Sequence, residues 1–102
     1  MLKHIVMWKL KDHAEGADRA ANAAEMKRRL DACAHIVPGI VRFEVNLAQP
    51  GLEASWDVVL YSEFTDKAAL DAYAAHPTHE AVKPFIGAVR EARACMDYEV
   101  AA

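Results

Sequence analysis

The stretch LKHIVMWKL, residues 2–10, alternates between two sets of side chains along its whole length. The even positions carry Leu2, His4, Val6, Trp8 and Leu10, and the odd positions carry Lys3, Ile5, Met7 and Lys9. A period of two with β-branched and aromatic members predicts a β-strand. Both sets are apolar at the centre of the stretch, so we expect a strand that is covered on both faces, in the interior of a sheet.

The next segments alternate between helical and strand periods. From Ala17 to His35 the apolar residues fall three and four apart, which predicts an amphipathic helix. Val37-Pro38-Gly39 ends this helix, because the residue before a proline disfavours helical backbone. Alternation then predicts strands at Ile40–Leu47 and Trp56–Phe64, joined by a loop that contains Pro50-Gly51.

The last third of the chain predicts two helical segments and a strand. Thr65 or Asp66 can cap a helix that ends at Pro77, and Thr78 can cap the segment that follows. Pro84 predicts a kink or a fresh start near Lys83, because proline disrupts a helix interior. A final strand is predicted at Ala92–Val100.

This order of elements, β-α-β-β-α-(α)-β, is that of the ferredoxin-like split βαβ fold. It is an α+β fold in which four strands form one antiparallel sheet with the helices on one face. We expect residues 1–102 to form a single domain. The other sheet face stays uncovered, and Val6 with Trp8, or Trp56 with Val58, is expected to lie on it. A contiguous apolar face marks an interface or a pocket, so we predict a homodimer that packs sheet on sheet.

Composition argues against several classes of function. The formal net charge is −3 with acids and bases interspersed, so no basic stripe indicates a nucleic-acid partner. No stretch approaches the roughly 20 apolar residues of a membrane span, and the first apolar run is too short for a signal sequence. Cys33 and Cys95 have no CxxC partner, so we expect a cytoplasmic protein. Cys95 is interpreted as a small buried hydrophobe.

Four segments carry a resemblance to a known family: KHIVMWKLKD, VPGIVRFEVN, FTDKAALDAYAAHPTHEAV and MDYEV. In order and spacing they resemble the stress-responsive dimeric α/β-barrel family, called Dabb. The HPxH element after a tyrosine-bearing helix is the most specific part. The resemblance implies a ferredoxin-like homodimer whose sheets curve into a dimeric α/β barrel, with a cavity between sheet and helices in each protomer.

The resemblance also implies a site. Some members are polyketide cyclases that close a poly-β-ketone by aldol condensation without a cofactor, using a histidine and a tyrosine. The matching residues here are His79 as general base and Tyr73 as oxyanion donor, with His4 in the same cavity. Such roles suit a histidine that titrates near neutral pH and a phenol that donates a hydrogen bond. The expected apolar lining comprises Val6, Trp8, Val58, Leu60, Val82, Phe85 and Ile86.

A plainer interpretation of these residues stays open. Thr78 and His79 can simply open a helix while Tyr73 packs on the sheet, and His76 can be a histidine at a helix C-terminus. Pro77 interrupts the helical face that would align the two histidines on zinc. We therefore expect neither a metal nor another cofactor.

Two departures from the plant cyclases argue against a long alkyl substrate. The first helix carries Met26 and Leu30 where those cyclases tend to carry bulky aromatics. Arg90, Glu91 and Arg93 are polar where a lipid-like tail needs apolar walls. A small carbonyl or aromatic ligand, or an anionic one, is expected instead.

Three functions from different classes follow from these observations. The first is cofactor-independent cyclase-like or lyase-like acid/base chemistry. The second is a non-catalytic stress-responsive module with a ligand-binding or stress-protective role. The third is a cofactorless monooxygenase of the wider dimeric α/β-barrel superfamily, where haem-handling proteins also belong, although no haem ligand is evident beyond the histidines already assigned.

Overall fold

The main sheet has four antiparallel strands in the computed structural model, which describes residues 1–101. Its strands are β1 (Leu2–Leu10), β4 (Ile40–Leu47), β5 (Val58–Phe64) and β6 (Arg90–Glu99), and a separate short hairpin joins β2 (His13–Ala14) to β3 (Ala17–Asp18). The order across the sheet is β4-β5-β1-β6. β1 thus has a neighbour on each side, as its pattern predicted.

Four helical segments complete the fold: α1 (Arg19–Asp31), α2 (Lys67–Ala75), α3 (Pro77–Glu80) and α4 (Lys83–Val89). With this strand order and these crossovers the fold is ferredoxin-like α+β, which confirms the predicted class. The fresh start predicted near Lys83 is the first residue of α4. Within residues 1–101, no helix has the length and apolar character needed to cross a membrane.

α1 is shorter at both ends than its apolar period predicted. Its N-cap is Asp18, whose carboxylate accepts a hydrogen bond from the Ala21 N–H at 2.8 Å, because the residues before it form the β2–β3 hairpin. At the other end the Cys33 N–H donates to the Leu30 carbonyl. This three-residue spacing tightens the last turn and ends the helix well before Pro38.

The helices cover the sheet face that was expected to stay uncovered. Val6 with Trp8, or Trp56 with Val58, was expected on the uncovered face, but Val6, Trp8 and Val58 are only 2%, 4% and 1% exposed and lie beneath the helices. Trp56 precedes β5 and is half-buried. Directly opposed residues share a face, so the strand register gives the uncovered side, here called the open face, the apolar residues Ile5, Met7, Val59, Ala94, Met96 and Tyr98. On β1 this face carries the odd-numbered residues, and Lys3 and Lys9 at its two ends keep their ammonium groups near solvent. The even-numbered residues of β1 include no lysine.

Candidate functional site

A cavity of about 580 Å³ lies between the sheet and the helices. Of the residues singled out in the sequence, its lining contains His4, Val6, Trp8, Leu60, Tyr73, His79 and Ile86. Val58 and Val82 are instead buried in the core. The Phe85 ring lies under the Arg29 guanidinium, 4.0 Å from its carbon to the ring centroid. α4 starts afresh after Val82, and its phase turns Ile86, rather than Phe85 or Val82, toward the cavity.

The break at Pro77 shapes the helical wall of the cavity. His76 has extended backbone, as expected before a proline. It is the N-cap of α3, since its Nδ1 accepts a hydrogen bond from the Thr78 N–H at 3.1 Å. This corrects the expected cap at Thr78. His76 is also the C-cap of α2, where its N–H donates to the Tyr73 carbonyl, so its expected position at a helix C-terminus is confirmed. In a continuous helix the Thr78 N–H would bind the Ala74 carbonyl, and its capture by His76 leaves that carbonyl free.

His79 takes the place left at the Ala74 carbonyl. Its Nδ1 lies 3.0 Å from the Ala74 oxygen, and because a carbonyl only accepts, Nδ1 carries the proton. The neutral ring therefore has an unprotonated Nε2 available as a base. Burial lowers the pKa of His79 below its ordinary value, and this outweighs the opposing effect of the Ala74 hydrogen bond. The lowered pKa favours the neutral form of the His79 ring at pH 7.

Tyr73 lies beside His79 with its ring centroid 4.6 Å away. It is 1% exposed and packs against Phe43 and Phe64 at centroid distances of 5.9 and 5.4 Å. Burial, with a smaller contribution from Cys33, raises the pKa of Tyr73 far above its usual range, so the phenol stays protonated. Among residues 1–101 its hydroxyl has no hydrogen-bond partner, and neither has the indole Nε1 of Trp8. Two cavity-lining side chains therefore carry buried donors that are unpaired within the described residues.

A second polar group lines the sheet side of the cavity. β1 and β6 pair His4 directly with Asp97, and His4 Nδ1 hydrogen-bonds to the Asp97 carboxylate. Cys95 Sγ is 3.7 Å from the same carboxylate oxygen. Cys95 is exposed and lines the cavity, which corrects its interpretation as buried. Partial desolvation of the sulfur and then the negative charge of Asp97 raise the pKa of the Cys95 thiol, which is the opposite of what a nucleophilic cysteine needs.

His4, Cys95 and Asp97 are also the group best placed to hold a metal ion. Their donor atoms all lie within 4.8 Å of one another. However, the hydrogen bond between His4 and Asp97 already accounts for the approach of those two residues. We therefore assign the three side chains to the polar wall of the cavity.

The charged residues of the lining are mostly cationic. Lys67 is bound to Asp71 at 2.6 Å, and Lys83 is bound to Glu80 at 2.7 Å. Arg90 and Arg93 are exposed and line the cavity as well. Within residues 1–101 every arginine salt bridge is made by other arginines, so these two guanidinium groups have no carboxylate partner there.

Sequence reasoning missed Asp97 and Cys95 as parts of the cavity wall. Both share the face of β6 that opposes the even positions of β1. The available signal was alternation, since Met96 and Tyr98 take the other face. To use that signal, however, the register of β6 against His4 has to be known.

Comparison with known proteins identifies the family. Residues 2–100 match the family model Dabb, described as the stress responsive A/B barrel domain. Comparison with curated proteins gave no match. A dimeric protein of unknown function with a ferredoxin-like fold from Bacteroides fragilis is 33% identical, with a TM-score of 0.81 over 97% of this chain and 95% of its own.

Two more distant structures share the fold. A Dabb family protein with a ferredoxin-like fold from Mesorhizobium loti is 23% identical, with a TM-score of 0.72 over 99% of this chain and 97% of its own. A putative antibiotic biosynthesis monooxygenase from Nitrosomonas europaea is 18% identical, with a TM-score of 0.76 over 98% of each chain. On the match over residues 2–100 and the relative at 33% identity, this chain belongs to the Dabb family of stress responsive A/B barrel domains.

Proposed function

We propose that this protein is a homodimer that performs cofactor-independent acid/base chemistry on a small carbonyl compound. His79 is the general base and Tyr73 the hydrogen-bond donor to the developing oxyanion. The observation that carries the proposal is the pair of adjacent rings, 4.6 Å apart between centroids. The His79 ring is held by its Nδ1–H, which donates to the Ala74 carbonyl and leaves Nε2 as the free basic nitrogen. The Tyr73 ring has a protonated hydroxyl without a partner in residues 1–101.

The chemistry follows from these two states. Nε2 of His79 removes a proton from the carbon next to the carbonyl, and the electron pair of the C–H bond moves into the enolate. The Tyr73 hydroxyl donates to the enolate oxygen as its negative charge develops. The enolate carbon then attacks a second carbonyl to form the carbon–carbon bond of an aldol. The imidazolium returns its proton to the new alkoxide, which leaves both side chains as they began.

Burial favours each partner in its required form. A histidine pKa below its usual value keeps His79 unprotonated near neutral pH, and a base of this kind works well there. A strongly raised pKa keeps Tyr73 a donor across the same range. Burial of the Tyr73 hydroxyl also strengthens its hydrogen bond to an oxyanion, because the local dielectric constant is low.

Hydrogen exchange on a neutral diketone tests the proposal. We expect the protein to accelerate deuterium uptake by heptane-2,6-dione in D₂O, followed by ¹H NMR, and to form its cyclic aldol product. His79→Ala should lose the acceleration, while His35→Ala, which changes an exposed histidine outside the cavity, should keep it. Tyr73→Phe should slow exchange by about 100-fold, the scale of a lost oxyanion donor, and Tyr98→Phe should not. Equal rates in His79→Ala and the wild type would refute the acid/base role.

The homodimer is supported by the open face. Met96 is 67% exposed and Tyr98 37%, on the same side of the sheet as Ile5, Met7 and Val59. Such a continuous apolar face is typical of an interface. The relative from Bacteroides fragilis is described as dimeric, and a second copy packed sheet on sheet covers this face while the cavity stays on the other side.

The alternative that the same cavity supports is ligand binding without turnover. In that case a carbonyl compound would stabilise the fold and yet exchange no hydrogen faster than in buffer. The monooxygenase alternative has the fold likeness to the Nitrosomonas europaea protein in its favour, and oxygen consumption with a phenolic substrate is its test.

A further inference from the structure

The sign of the cavity charge opposes that of the whole chain. The full sequence has a formal net charge of −3, whereas four cationic and two acidic side chains line the cavity, namely Lys67, Lys83, Arg90, Arg93, Asp71 and Asp97. Lys67 and Lys83 are offset by Asp71 and Glu80, which leaves Arg90 and Arg93 against Asp97. An excess of one charge sign in a concave site with low-dielectric walls concentrates the opposite charge. The cavity therefore attracts anions on a protein that otherwise repels them.

An irregularity in the sheet brings Arg90 and Arg93 to this site. Arg93 pairs with Trp8, Ala92 with Lys9 and Arg90 with Leu10, so the register shifts between Lys9 and Leu10. Residues three apart in a regular strand point to opposite faces. The extra residue in β6 reverses that relation, so Arg90 and Arg93 both oppose residues that face the helices. Bulges of this kind re-aim a side chain and occur next to active sites.

We propose that Arg90 and Arg93 bind the carboxylate of the substrate, which is therefore a small keto acid. The inference rests on the proposed function, because the carbonyl end of the same molecule extends inward to Tyr73 and His79. A guanidinium presents paired N–H donors that match the two oxygens of a carboxylate. Lys67 and Lys83 are already bound to acidic neighbours. Asp97 also lies in the lining, which favours a monoanion over a phosphate dianion.

Two matched probes test this inference. 5-Oxohexanoate and heptane-2,6-dione have the same length and the same ketone, and differ by a carboxylate oxygen in place of a terminal methyl group. We expect the wild type to bind the keto acid at least about ten-fold more tightly in an NMR titration, since charge-assisted hydrogen bonds have this scale. Arg90→Gln and Arg93→Gln should each lose most of the preference. Arg28→Gln, which changes an exposed arginine of α1 paired with Glu25, should retain it.

Benzoate and benzamide form a second pair for a site that prefers an aromatic ligand, and thermal midpoints verify that each variant is folded. The inference is overturned if neither pair shows a preference for the anion, if the preference survives in both arginine variants, or if inorganic phosphate displaces 5-oxohexanoate at equal concentration. Added salt should weaken the preference, because screening reduces attraction between charges near the surface.

The outcomes separate this inference from the proposed function. If the keto acid binds with an arginine-dependent preference and neither probe exchanges hydrogen in a His79-dependent way, carboxylate recognition stands and the acid/base role fails. If the neutral diketone exchanges in a His79-dependent way and the keto acid has no advantage, the acid/base role stands and carboxylate recognition fails. Agreement of both measurements identifies a keto acid as the substrate class.

Discussion

Removing the Tyr73 hydroxyl should make the protein more stable. The ring of Tyr73 contacts three aromatic neighbours, with centroids between 4.6 and 5.9 Å away, and phenylalanine keeps all of these contacts. The hydroxyl itself is buried without a partner in residues 1–101. A buried polar group that loses water without gaining a partner costs about 1–3 kcal/mol. We therefore expect Tyr73→Phe to raise the free energy of unfolding by about 1 kcal/mol, the lower end of that range.

A contrasting tyrosine provides the control. The Tyr61 hydroxyl accepts a hydrogen bond from Lys3 and donates one to Glu63. Tyr61→Phe removes both hydrogen bonds and should lower the free energy of unfolding by about 1 kcal/mol. The same chemical change is thus expected to have opposite signs at the two positions.

Urea denaturation measures both variants, at one protomer concentration because association adds to the apparent stability. If the free energy of unfolding falls with urea concentration at the same slope in the variants and the wild type, the same surface area is exposed on unfolding. In a domain of this size 1 kcal/mol corresponds to a shift of about 4–8 °C in Tm. If Tyr73→Phe lowers the free energy of unfolding by as much as Tyr61→Phe does, the hydroxyl has a partner and the reasoning is wrong. If Tyr73→Phe is more stable than the wild type and no longer accelerates deuterium uptake by the diketone, the hydroxyl is kept for function at the expense of stability.

Three further predictions concern pH, backbone and assembly. Because burial lowers the pKa of His79, the unfolded chain binds more protons than the folded protein once the pH falls below about 6.5, and the free energy of unfolding should fall from there through the lower folded pKa. His79→Asn should flatten this fall. Urea titrations at several pH values measure it, and the same pH dependence in His79→Asn and the wild type would contradict the prediction. Gly39→Ala should destabilise by about 3 kcal/mol in the same assay, because φ is +93° and a Cβ there would lie 2.7 Å from that of Ala69. Met96→Glu should shift the dimer to monomer in light scattering, whereas Leu52→Glu, at a loop residue 68% exposed against 67% for Met96, should not; an intact dimer in Met96→Glu would argue against the open face.

The pattern of the sequence was sufficient for the elements and their order, because period and turn residues are local properties. The buried residues Ala23, Met26 and Leu30 of α1 follow the three-and-four spacing that predicted this helix. Alternation alone left undecided which face of β1 the helices cover. Val6 and Met7 are both apolar, and only the flanking lysines of the odd set distinguish the two faces.

The site was less accessible to prediction, because its parts depend on register and capping. The hydrogen bond from His79 to the Ala74 carbonyl exists since His76, rather than Thr78, caps α3, and a histidine is a rare cap. The common face of Arg90 and Arg93 depends on a bulge, and alternation along a regular strand would have separated them. Both features arise from contacts that a linear pattern does not contain.

The two faces of β1 belong to two different surfaces of the molecule. Successive residues belong alternately to the cavity, as His4 and Val6 do, and to the open face, as Ile5 and Met7 do. Substitutions at even positions can therefore change what the protein binds while its self-association is preserved, and those at odd positions can do the reverse. An inserted or deleted residue in this strand would exchange the two sets at once. Where related proteins bind different ligands, we therefore expect substitutions at the even positions of β1, while the odd positions and the length of the strand are kept.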